Sequence, residues 1–99
     1  MSNEQSDQDF RARADALIHL ANEQRREAKN DSVNASFLYA ATRFSAFIVA
    51  SASQDAAEMQ QDRDEALDFF TERFRAMLSE NLDDYATNYE DDVQRFRNA

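Results

Sequence analysis

The sequence predicts an all-α protein, an antiparallel bundle of three principal helices plus a shorter C-terminal helix, in a single helical domain spanning 1–99. Three observations lead there. Glycine and proline are both absent from the 99 residues. Proline breaks helices and glycine supplies the positive φ of tight turns, so a chain without either suits long helices joined by few short loops. A β-rich fold of this length would need several turns, usually built with Gly, Asn-Gly or Pro. The second observation is that apolar residues recur at spacings of three and four. The third is core material: eight Phe and three Tyr, in a chain long enough to bury roughly 60–70% of its unfolded surface.

Residues 1–6 (MSNEQS) are polar and are expected to be disordered. The first helix is placed at about 7–29. Ser6 or Asp7 can cap it, and Phe10, Ala14, Leu17, Ala21, Gln24 and Ala28 form its stripe. Its end is set near Lys29, where basic residues suit the C-terminal dipole. His19 falls opposite the stripe and is expected to be solvated.

The second helix is placed at about 32–53 and contains SFLYAATRFSAFIVASAS (Ser36–Ser53). A membrane span needs about twenty mostly apolar residues. This run is shorter, carries Arg43 at its middle and is dotted with Ser and Thr, so no membrane is expected as a partner. On a helical wheel Phe37, Ala40, Ala41, Phe44, Phe47, Ile48 and Ala52 share one broad face. A helix apolar over more than half its circumference reads as a central element covered on two sides. Phe44, at the centre of that face, is expected to be buried, with truncation to Ala costing about 3–5 kcal/mol. Tyr39 and Arg43 lie four apart on the narrow strip that remains. Arg43 is expected to be a buried or rim ion-pair partner for an acidic residue of the third helix. In the functional reading the pair is an anchor for a partner or an anionic ligand, since interface anchors favour Tyr and Arg.

A third helix is placed at about 55–79, with Met59, Ala66, Phe70, Phe74 and Met77 as its stripe. Ser79 and Asn81 are potential caps, so a break is expected around Ser79–Asp83, with a shorter helix at about 82–96. Leu82, Tyr85, Tyr89, Val93 and Phe96 form that helix's apolar edge.

Composition narrows the chemistry. Cysteine is absent, which removes disulfides, thiolate catalysis and Cys-based zinc sites. No Gly-rich phosphate loop, EF-hand loop or Glu-x-x-His pair occurs, so neither a cofactor nor a metal is expected. No motif marks a catalytic centre, and the chain is read as a non-enzyme. It also lacks a basic region followed by an apolar run at its start, so a cytoplasmic location is expected. The net charge is -9. Residues 1–53 hold six basic and seven acidic side chains, and residues 54–99 hold five and thirteen. Such a surface repels phosphates, so nucleic acid is not expected as a partner. It attracts a basic one. Asp83, Asp84, Asp91 and Asp92 are the residues expected to meet it.

The segments LANEQ (Leu20–Gln24), ASFLYAATRFSAFIVAS (Ala35–Ser51) and MLSENLDDY (Met77–Tyr85) resemble those of the domain of unknown function 3144 family. The resemblance runs from about Phe10 to Tyr85. It implies a bacterial, cytoplasmic, helical protein and carries over no activity, ligand or catalytic residue. Two functions follow as expectations. The first is a non-enzymatic protein–protein interaction module, with a homodimer as one form, because the second helix has more apolar surface than a three-helix bundle usually needs. The alternative is a small-ligand-binding bundle with an aromatic pocket between helices.

Overall fold

The computed structural model describes residues 3–97, except for the side chain of Phe96. Among these residues the chain is helical, with no strand. It has three long helices, α1 (Asn3–Gln24), α2 (Asn30–Ala52) and α3 (Ala56–Thr87). A π-helical turn (Glu90–Gln94) and a short C-terminal helix, α4 (Arg95–Arg97), complete it. The all-α class, with three principal helices and a shorter last one, is the one the sequence predicts. Two compact units divide the chain, Met1–Ile48 and Val49–Ala99.

In the first unit α1 begins earlier and ends earlier than its stripe suggests. Residues 3–6, expected to be disordered, form its first turn. Glu4 sits there, where a carboxylate complements the helix dipole, and Gln5 Nε2 donates to Asp9 Oδ1 at 3.1 Å. Residues 1 and 2 lie outside the described part. At the other end, Arg25 stops the helix five residues short of 29. Its Nη1 donates to Asn22 Oδ1 at 2.9 Å and its Nε to Asn30 Oδ1 at 2.8 Å. One guanidinium therefore joins the last turn of α1 to the first residue of α2. Between them the backbone tightens, with Arg26 N–H bonding to the Glu23 carbonyl and Glu27 N–H to the Gln24 carbonyl. Such three-residue bonds satisfy carbonyls left open at a helix end. Val33 packs just past this turn and is the one buried residue among those described, at 7% exposure.

In the second unit α3 starts next to the expected position, and Asp55 caps it. Its backbone is extended and its Oδ1 accepts from Glu58 N–H at 2.9 Å. Glu58 reaches back, its Oε2 accepting from Gln54 N–H at 2.7 Å. This is a capping box displaced by one residue. The expected break at Ser79–Asp83 does not occur, and α3 runs on for 32 residues to Thr87, about 48 Å. Ser79 and Asn81 can cap a helix but do not break one, and the segment holds no Gly or Pro to override the strong formers around them. The chain turns instead at Asn88, whose N–H and Nδ2 both donate to the Asp84 carbonyl, at 3.0 and 3.1 Å. Past it, Arg95 N–H reaches back to the Glu90 carbonyl, closing the π-helical turn.

Removing the cap should have a measurable cost. Asp55→Ala is expected to destabilise the chain by about 1 kcal/mol, while Asp55→Ser stays within a few tenths. Urea titrations of both variants followed by circular dichroism check this. A midpoint shared by Asp55→Ala and the parent chain would contradict the capping role.

Candidate functional site

The apolar stripes are mostly uncovered. Phe10, Phe37, Phe44, Phe47, Phe69, Phe70 and Phe74 are all exposed. Phe44, expected to be buried, is 67% exposed. The wheel placed it correctly on the apolar face of α2, but an apolar face is buried only where another element lies on it. The small residues fare differently: Ala14, Ala21, Val49 and Ala66 are half-buried. Close approach favours the short side chains and leaves the rings outside.

Where α1 and α2 converge on their turn they enclose a cleft of about 200 Å³. It is lined by Leu17, Leu20, Ala21 and Gln24 of α1 and by Val33, Ser36, Phe37 and Ala40 of α2. The five-residue turn closing it, Arg25 to Lys29, carries three cations and one carboxylate. Among the described residues neither Arg26 nor Lys29 forms an ion pair, and Arg25 bonds only to the two neutral asparagines.

Tyr39 and Arg43 are both exposed on α2. Arg43 is therefore not the buried cation expected, and among the described residues of its own unit it forms no ion pair. The nearest acid in sequence on its helix is Asp31, three turns away. Asp83, Asp84, Asp91 and Asp92 are exposed as well. Asp84 Oδ1 accepts from Asn88 Nδ2 at 3.1 Å, and Asp91 pairs with Arg95 at 3.3 Å. The side chains of Asp83 and Asp92 have no hydrogen-bond or ion-pair partner among the described residues. These two patches lie in different units.

Three features escaped the sequence reading. Phe69 meets Phe70 edge-on, ring centres 5.2 Å apart, and carries the Arg73 guanidinium 5.6 Å above its own ring. The i,i+4 spacing of Phe69 and Arg73 is the signal for that pair. The unpaired turn was legible as RREAK, the densest basic stretch of an acidic chain. The cleft beside it had no signal of its own. His19, read as solvated, is exposed and lies 3.2 Å from Glu23. Among the described residues no group of His, Asp or Glu is placed to hold a metal.

Long amphipathic helices with exposed aromatic faces define a small all-helical protein. The chain belongs to the family described as "Protein of unknown function (DUF3144)", whose profile matches residues 10–86. A solved structure is similar to it: the NMR structure of the protein NB7890A from Shewanella sp., 35% identical, with a TM-score of 0.71 over 82% of this chain and 86% of that one. No curated protein matches.

The exposures overturn the expectation for Phe44 and single out Val33 instead. In the dilute chain Val33→Ala should cost about 1–2 kcal/mol, from the two carbons removed from a buried site. Phe44→Ala should stay within about 0.5 kcal/mol, as exposed positions do. Urea midpoints ordered the other way would show that the α2 face is covered within the chain.

Proposed function

We propose that this protein is a non-enzymatic protein–protein interaction module of the cytoplasm, with a homodimer as its simplest assembly. The observation that carries the reading is the exposure of seven phenylalanines while one described residue is buried. Helices are stabilised chiefly by packing an amphipathic face, not by propensity. Large exposed apolar patches mark interaction sites. The face of α2 around Phe44 and Phe47 is the surface that gains most from a partner, with Tyr39 and Arg43 at its margin. The acidic segment from Glu80 to Asp92 adds attraction for a basic partner and speeds encounter.

Two other occupants fit less well. The cleft between α1 and α2, at about 200 Å³, is smaller than the roughly 300–1,000 Å³ of ordinary small-molecule pockets. Helix α2 is long enough and apolar enough to cross a membrane by length and composition, so its length does not argue against a span. Arg43 does: near the middle of a span it costs about 2.5–3.5 kcal/mol on insertion scales.

A tagged chain should capture a defined protein from an extract of its own cells, or a second copy of itself, and Phe44→Asp with Phe47→Asp should abolish the capture. Changing Asp83, Asp84, Asp91 and Asp92 to Asn should slow association with a basic partner, and so should added salt, since exposed charges are screened over about 8–10 Å. Capture indifferent to the two phenylalanine substitutions would remove the support for this surface.

A further inference from the structure

We propose that the cleft between α1 and α2, with the basic turn that closes it, is the docking site for the acidic C-terminal segment of a second copy of this chain. The inference rests on the interaction reading above and names the partner. Charge is the first argument. Arg25, Arg26 and Lys29 stand together without a carboxylate partner among the described residues, in a chain of net charge -9. Between Glu80 and Asp92 there are six acids and no base. On that same segment Leu82, Tyr85 and Tyr89 recur at three and four, 60%, 53% and 40% exposed. The cleft offers Leu17, Leu20, Val33 and Phe37 beside the cations. An apolar slot with a positive rim fits an acidic amphipathic helix, and this chain carries one.

Symmetry is the second argument. A twofold pair fills two clefts with two segments, because the contact is the same in both directions.

Two charge-reversed variants test this by light-scattering mass after gel filtration. Arg26→Glu with Lys29→Glu makes the rim acidic and leaves Arg25, which holds the turn, in place. Glu80→Lys, Asp83→Lys, Glu90→Lys and Asp92→Lys together make the segment basic and leave Asp84 and Asp91, which hold Asn88 and Arg95, untouched. The parent chain should run at twice its monomer mass. Each variant alone should weaken the dimer at least tenfold. An equal mixture of the two should restore it, since each rim then meets a segment of opposite charge. Restoration by mixing cannot arise from closure within one chain. A parent chain monomeric at every concentration overturns the proposal, and so do variants that dimerise like the parent or a mixture that stays monomeric. A dimer lost on Phe44→Asp with Phe47→Asp but unaffected by the charge changes overturns the docking site and leaves the interaction reading standing. Flotation with neutral phosphatidylcholine vesicles, absent the dimer, overturns both.

Discussion

Every reversal of this chain must be made at negative φ. No described residue has positive φ, and there is no glycine to adopt it cheaply. The turns are therefore built by side chains. Arg25 ties Asn22 to Asn30, Asp55 and Glu58 close the start of α3, and Asn88 ends it on Asp84. Each device is short and polar and sits at a helix end. None needs a loop of any length. Long helices of 22, 23 and 32 residues follow from that economy.

Long helices bring long faces. A helix contributes to stability through the stripe it buries, and these stripes carry rings on all three helices. Where α1 and α2 converge, Val33 is buried and Ala21 half-buried, while Phe37 lines the cleft and stays exposed. The backbone rule thus makes the surface question: stiff helices tightly tied at their ends have apolar area left over in the middle. That area lies where charge is scarcest. Helix α2 carries only Asp31 and Arg43 among its 23 residues.

Most of the architecture was legible in the sequence. Absence of Gly and Pro set the helical class. The start of α3 near residue 55 was legible from where its apolar stripe begins, while the capping role of Asp55 came from the structure. What was not legible depended on partners. Ser79 and Asn81 are caps only where a helix ends, and their types alone do not say that it ends there. Lys29 suited a helix terminus, yet Arg25 reached both asparagines first. Phe44 was placed on the right face but given a covering element that periodicity cannot supply. Of the candidate site residues, Tyr39 and the acids of 83–92 are exposed, and so is Arg43, for which a buried or rim ion pair was expected. The cations of the RREAK turn, without an ion pair among the described residues, were read only as dipole partners, because pairing is a fact of three dimensions.

Charge then decides which assemblies the apolar faces can form. Two chains of net charge -9 repel at a distance, and unfocused self-repulsion keeps such proteins apart. An association driven by the rings alone would bring the acidic segments together wherever the faces happened to meet. Only an arrangement that sets acids against the few clustered cations turns that repulsion into selectivity. The basic cluster lies next to the cleft, and the acidic run lies on a helix whose apolar edge is exposed. Salt acts on the two terms in opposite senses: it relaxes the long-range repulsion and weakens exposed ion pairs, both over about 8 Å at physiological strength. Repulsion summed over whole chains spans larger distances than contact pairs do, so screening removes it first. A charge-matched contact in this protein is thereby compatible with a high net charge, and the high net charge disfavours every contact that is not matched.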